Sequence, residues 1–228
     1  MNIGENYNFL ENLVAGAALR SGRKPESVRI IAVSKTFSYE EVQNAIDAGI
    51  FLFGENKVQE AKSKIPNLSG NFAFHMVGHL QSNKARDAVN LFDLIHSIDS
   101  LSTAERVNAE AQKTGKIQKI LIQVNPLEEA TKSGTKPDEA IRLAEKCLTM
   151  ENIELLGFMN IGPLSDDTTL IRNSFVKTRE ILERANNLFG TSMKELSMGM
   201  SGDFEIAIEE GATMVRIGSL IFGERNYT

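Results

Sequence analysis

Short apolar runs recur along the chain: RIIAVS at 29–34, FLF at 51–53, FAFHMV at 72–77 and DLIHSI at 93–98. They continue with KILIQV at 119–124, ELLGFM at 154–159, KELSM at 194–198 and TMVRI at 213–217. Several are almost continuously apolar, as parallel strands covered on both faces are. Between them the period changes to that of a helix. YEEVQNAIDAG (39–49) and SLSTAERVNAEAQKTG (100–115) each close on a glycine, which a helix C-terminus favours. KPDEAIRLAEKCLTM (136–150) opens with Pro137 and acids in its first turn, matching the fixed proline angle and the helix dipole. DDTTLIRNSFVKTREILERANNLFG (166–190) is the longest helix, and shorter ones are expected after the second, third and seventh strands. An amphipathic helix over 7–20, with Phe9, Leu10, Leu13, Val14 and Ala17 at helical spacing, precedes the first strand.

Eight strands alternating with helices predict an α/β fold, a single (β/α)8 barrel with an extra N-terminal helix. The chain has 228 residues, below the roughly 250 typical of that fold, so its loops must be tight. A doubly wound open sheet is the structural alternative. No Gly/Ser/Pro-rich linker or low-complexity tract divides the chain, and one domain over 1–228 is expected.

Chemistry in such a barrel gathers at the C-terminal ends of the strands. Lys35 falls there after the first strand, GEN (54–56) after the second and VGHLQSNK (77–84) after the third. Ser97 and Asp99 end the fourth, Asn125 the fifth, and Met159 and Asn160 the sixth. MGMSGD (198–203) follows the seventh and RIGSLIFG (216–223) the eighth. The last two segments set Ser201, Gly218 and Ser219 in glycine turns that lead into helices. Backbone N–H groups at a helix start attract anions, and the turns after strands seven and eight are where barrels frequently hold phosphate. Either turn alone reads as an ordinary strand–helix connection; together they favour a phosphate site. A lysine that ends a strand is most often only solvated. Facing a phosphate site, Lys35 has a narrower use. Burial and a neighbouring cation such as Arg216 would lower its pKa and free the amine for imine formation with a phosphorylated aldehyde.

Charge and composition remove other classes. The net charge is −5, from 25 basic and 30 acidic residues well mixed along the chain. That argues against a nucleic-acid binder and against a protein of anionic membranes. No apolar run has the length of a membrane span. The N-terminus MNIGENYNFLENL lacks the basic and apolar regions of a secretory signal. The single cysteine, Cys147, sits on an apolar helix face and fits a reducing compartment. A cytoplasmic monomer is expected. HMVGH (75–79) spaces two histidines four apart, but the first lies in a strand and Gly78 intervenes, so no metal site is expected. GMSGD (199–203) lacks the last glycine of a nucleophile elbow, and no histidine follows Ser201.

Taken together the motifs resemble the pyridoxal phosphate homeostasis proteins, single-domain barrels similar to the N-terminal domain of alanine racemase. The resemblance covers essentially the whole chain. It rests on AVSKT (32–36), FGEN (53–56), H-x-x-G-x-L-Q-x-N-K (75–84) and IHSIDS (95–100). It continues through QVNPLEEATKSG (123–134), GFMNI (157–161), LSMGMSGDFEIAI (196–208) and VRIGSLIFG (215–223). It implies that Lys35 forms the internal aldimine with pyridoxal 5′-phosphate. It also implies that Ser201, Gly218 and Ser219 hold the phosphate and that Arg216 faces the pyridine nitrogen. Asn56 is implied near the ring, with His79 and Met159 as candidates for the lining.

The function implied is intracellular homeostasis: a carrier, without catalytic residues, that buffers pyridoxal phosphate or hands it to apoenzymes that depend on it. A cation at the pyridine nitrogen disfavours ring protonation and makes the cofactor a poorer electron sink. The racemases add a second domain and a tyrosine base. Here the chain ends soon after the eighth strand, and Tyr7, Tyr39 and Tyr227 lie outside the rim motifs. Two alternatives stay open: a cofactor-dependent enzyme transforming amino acids, such as a weak racemase, and a cofactor-free aldolase in which Lys35 attacks a sugar phosphate.

Overall fold

Each of the eight apolar runs forms a strand, and the strands close into a parallel barrel in chain order. They are β1 (Arg29–Val33), β2 (Leu52–Glu55), β3 (Ala73–Met76) and β4 (Leu94–Ile98), then β5 (Gln118–Val124), β6 (Ile153–Asn160), β7 (Glu195–Ser197) and β8 (Met214–Ile217). The ring shuts between β1 and β8, with Ile31 opposite Arg216 and Ala32 opposite Ile217. The fold is the (β/α)8 barrel that the pattern predicts. The computed structural model describes residues 2–129 and 132–223. Ala130 and Thr131 of the QVNPLEEATKSG motif, and Tyr227, lie outside them.

The helices are α1 (Ile3–Arg20), α2 (Tyr39–Asp47), α3 (Val58–Lys64), α4 (Ala85–Leu91) and α5 (Leu101–Thr114). They continue with α6 (Pro137–Cys147), α7 (Thr168–Phe189), α8 (Phe204–Glu209) and α9 (Ser219–Phe222). As expected, α3, α4 and α8 are short. One boundary differs clearly: α1 starts at Ile3 rather than residue 7. The Asn2 side chain accepts the Glu5 N–H at 2.9 Å, and the Glu5 carboxylate accepts the Asn2 N–H at 3.0 Å. This capping box satisfies two donors that a helix start otherwise leaves orphaned. The helix then packs on α8 and α9, and Asn6 Nδ2 donates to the Ile221 carbonyl at 3.0 Å.

Alternation along the strands sorts the apolar side chains into two layers. Ile31 and Val33 join an inner cluster with Val77, Leu94, Leu121, Met159 and Met214. Their neighbours Ile30 and Ala32 pack outward in the larger layer between sheet and helices. The same alternation runs past the strand ends. Lys35 continues the inner row of β1, Asn56 that of β2 and Gly218 that of β8, whereas Ser34 and Glu55 continue the outer rows. Cys147 is buried on α6, and burial pushes its thiol up to about 12, so at neutral pH it remains a thiol. Among the described residues no helix is long and apolar enough to cross a membrane.

One glycine is required by close approach. The pairing of β5 with β6 slips between Ile120↔Leu155 and Leu121↔Gly157, and Gly157 has φ +153°. A Cβ there would lie 2.0 Å from the Glu195 carbonyl oxygen of β7. Gly157→Ala should therefore destabilise the fold by roughly 3 kcal/mol or more, because the Glu195 backbone would have to shift and φ +153° is strained for alanine. Chemical denaturation of the variant measures this, and a loss below roughly 1 kcal/mol would contradict the packing described.

Candidate functional site

Strand β1 leads into a tight turn over residues 34–37, closed by the Phe37 N–H donating to the Ser34 carbonyl at 3.2 Å. Lys35 holds the second position of this turn and Thr36 the third, with φ +71°. A turn of this kind usually places glycine or asparagine where φ is positive. A β-branched residue there stores strain of about 1–3 kcal/mol. The Thr36 N–H donates to Glu60 Oε2 of α3 at 2.9 Å, and Phe37 stacks on Phe222 of α9 with ring centres 4.7 Å apart. From this turn Lys35, half-buried, lines a cavity of about 390 Å³ at the C-terminal mouth of the barrel.

The turns after β7 and β8 form another wall of that cavity. They bring Ser201 and Ser219 together, with Ser219 Oγ donating to Ser201 Oγ at 3.1 Å. The first turn is set by Asp203, whose carboxylate accepts the Met200 N–H at 2.6 Å. The second turn runs close to β1: a Cβ on Gly218 would meet the Val33 carbonyl oxygen at 3.3 Å. Asn56 reaches the cavity from β2. Gly78 packs so tightly behind it that a Cβ would fall 2.2 Å from the Asn56 carbonyl oxygen.

The floor is Arg216. Its guanidinium is buried and donates three hydrogen bonds of 2.7 Å, to the Ser197 carbonyl, to Ser197 Oγ and to the Asn160 carbonyl. Asn160 is itself tied outward, its Nδ2 donating to Ser174 Oγ at 2.8 Å and to Thr178 Oγ1 at 3.0 Å. Burial lowers the Arg216 pKa to about 10, opposed by the Asp203 carboxylate, so the group is still protonated at neutral pH. Below it the polar chain continues through the barrel. His96 Nδ1 lies 2.8 Å from Ser197 Oγ, and His96 Nε2 lies 3.0 Å from His75 Nδ1.

Donor counting orients this chain. Ser197 Oγ accepts from Arg216, and donating its own hydrogen to His96 Nδ1 leaves no hydroxyl proton unpaired. That arrangement assigns His96 as the Nε2–H tautomer donating to His75 Nδ1, and His75 as the Nε2–H tautomer as well. Burial holds both rings neutral: His75 drops to about 3 and His96 falls well below the usual histidine range, with Arg29 and Arg216 among the cations that reinforce this.

The structure thus brings Lys35, Asn56, Ser201, Arg216, Gly218 and Ser219 to one cavity. It does not bring His79 or Met159 there. His79 is exposed on the rim, with Nδ1 3.2 Å from Asp99 Oδ2, and Met159 is inner-barrel packing. The two histidines of HMVGH diverge because His75 points into the barrel while His79 follows the glycine turn outward. Val33, Val77, Ile161 and Met200 supply an apolar lining that the motifs did not single out. A larger cavity of about 620 Å³ opens at the opposite mouth, beside Tyr7, Arg29 and His75. It lies at the N-terminal ends of the strands, where barrels of this type carry stability rather than chemistry.

Residues 12–226 match the family described as alanine racemase, N-terminal domain. The chain is 37% identical to the pyridoxal phosphate homeostasis protein of Aquifex aeolicus, over 100% of both chains. It superposes on PipY of Synechococcus elongatus PCC7942, solved with PLP bound, with a TM-score of 0.86 and 36% identity, covering 97% of this chain and 100% of that one. An alanine racemase of Clostridium difficile shares the fold at 18% identity and a TM-score of 0.77, with 57% of its length covered.

The neutral histidine pair has a measurable consequence. Unfolded, both rings take up a proton near pH 6.5; folded, they resist it down to far lower pH. Stability is thus fully present above about pH 6.5 and is lost as pH falls, by up to about 1.4 kcal/mol per pH unit for each histidine. Thermal melts should shift downward between about pH 6.5 and 5, and nitrogen NMR should find both rings as neutral Nε2–H tautomers across that window. A charged ring at pH 6 would contradict the assignment.

Proposed function

Because the chain belongs to the alanine racemase N-terminal domain family, among its pyridoxal phosphate homeostasis proteins, we propose that it binds pyridoxal 5′-phosphate on Lys35 and serves as its carrier. One observation carries this reading. An amine, a buried guanidinium and two adjacent hydroxyls on glycine turns face a single cavity of about 390 Å³. That volume falls within the roughly 300–1,000 Å³ of small-ligand sites. The donor set also fits the group: hydroxyls and turn N–H groups for a phosphate, a fixed cation for a ring nitrogen, an amine for an aldehyde.

When bound, the cofactor supplies an aldehyde that combines reversibly with amines and a ring able to accept electron density. The residues limit the second property. Arg216 offers only donors and remains protonated, so it cannot stabilise a protonated pyridine nitrogen as a carboxylate would. Ser201 and Ser219 orient the phosphate, and Val33, Val77 and Ile161 exclude water from the face beside Lys35. Among the described residues no tyrosine lines this cavity: Tyr7 borders the opposite one and Tyr39 is exposed at the start of α2. In this reading the chain is one domain and a cytoplasmic monomer that buffers the cofactor and releases it to apoenzymes.

The purified protein with added pyridoxal phosphate should show a visible absorption band, and borohydride should fix the cofactor to the Lys35 peptide. Lys35→Ala should abolish both. Ser201→Ala should weaken binding about tenfold, near 1.4 kcal/mol, while leaving the band in place. A retained adduct in Lys35→Ala would overturn the site. Amino-acid turnover at ordinary enzymatic rates would replace carrier by enzyme.

A further inference from the structure

Behind Lys35, on the outer side of the barrel, lies a buried charged network that the cavity does not use. Lys64, the last residue of α3, is 7% exposed, and Glu55, at the end of β2, is fully buried. Lys64 Nζ donates to Glu55 Oε1 at 2.7 Å and to the Ser34 carbonyl at 2.8 Å, with Glu60 Oε2 at 3.7 Å. Ser34 Oγ donates to the same Glu55 oxygen at 2.8 Å. Glu60 in turn accepts the Thr36 N–H at 2.9 Å.

Bonds from this network reach the β1 turn at Ser34 and at Thr36, the two neighbours of Lys35. The Ser34 carbonyl already accepts the Phe37 N–H that closes the turn, so Lys64 takes its second lone pair. Desolvating an ammonium and a carboxylate is unfavourable, and an apolar pair of similar volume would pack the same gap between β2 and α3. The strained backbone at Thr36 persists only if its surroundings over-determine it. Both unfavourable features meet at one turn, and that turn carries the amine.

We propose that Lys64, acting through Glu55 and Glu60, is a positioning residue that locks the Ser34–Thr36 backbone and so holds the Lys35 amine at the cavity. None of the three lines the cavity, and their bonds described above meet the turn at Ser34 and Thr36. The proposal rests on the reading of Lys35 as the residue that takes pyridoxal phosphate, and the experiment keeps the two separable.

The full chain is compared with Lys64→Met, Glu60→Ala and Glu60→Gln. Amide hydrogen exchange at Thr36 and Phe37 is measured without cofactor, and borohydride-trapped labelling of each lysine is followed after pyridoxal phosphate is added. In Lys64→Met and Glu60→Ala the two amides should lose protection while Ile31 and Ala32 keep theirs. Labelling of Lys35 should slow by roughly tenfold to a hundredfold, with other lysines unchanged. Glu60→Gln should stay near the native rates, because its amide oxygen still accepts the Thr36 N–H. If Lys64→Met does not fold, Glu60→Ala carries the test, since the Glu60 side chain is already 25% exposed. Unchanged exchange and labelling in Glu60→Ala, or a slowing shared by all lysines, would overturn the proposal. If the native chain forms no adduct at Lys35, the carrier reading fails. The lock is then judged by Thr36 exchange and by acetic anhydride labelling of Lys35.

Discussion

Closure of β1 against β8 is the constraint on which the rest of this molecule depends. It places Ile31 opposite Arg216, and it lets the Val33 backbone run beside Gly218. Residues from the two ends of the chain thereby share one cavity. Such a contact is slow to form, because a long loop must close before the pairing is rewarded. It holds because each intervening βα unit buries an apolar face against its neighbours, so the ring can close only with all eight strands in register. Lys35 faces Arg216 and the two serines as a result of that geometry and not of any local preference.

Within the ring runs a connected polar path. Arg216, Ser197, His96 and His75 form it beside the inner apolar cluster of Ile31, Val33, Leu94, Leu121, Met159 and Met214. In so low a dielectric an unmatched donor or acceptor is heavily penalised, which favours proton positions that leave each group of the path paired. Arg216 sets the direction, since it can only donate. The site therefore presents a fixed cation from below and two hydroxyls on glycine turns from the side.

The outer face of β1 shows the complementary device. A barrel strand fixes its own residues through ladder bonds, but Lys35 stands one step beyond the ladder. There the fold uses a strained turn, held by side chains of β2 and α3, to carry the order of the sheet one step outward to Lys35.

How much of this was legible in the chain follows from the range of each interaction. Period-two and helical patterns named all eight strands and the main helices, because alternation against a core is a local property. The positions of Lys35, Asn56, Ser201, Arg216, Gly218 and Ser219 were readable for the same reason: each ends or follows a strand. The early start of α1 was also local, written in the Asn2–Glu5 spacing, though only the capping bonds revealed it. Other assignments needed the tertiary structure. His79 and Met159 sit in rim motifs, yet one faces solvent and the other the barrel interior, since a turn and a strand register decide where each points. The pairing of His96 with Ser197, and of Lys64 with Glu55 and Ser34, joins residues on different elements. Sequence alone determined which residues could meet at the mouth of the barrel. Only the folded ring decided which ones do, because burial and hydrogen-bond partners belong to the packed arrangement and not to any one segment.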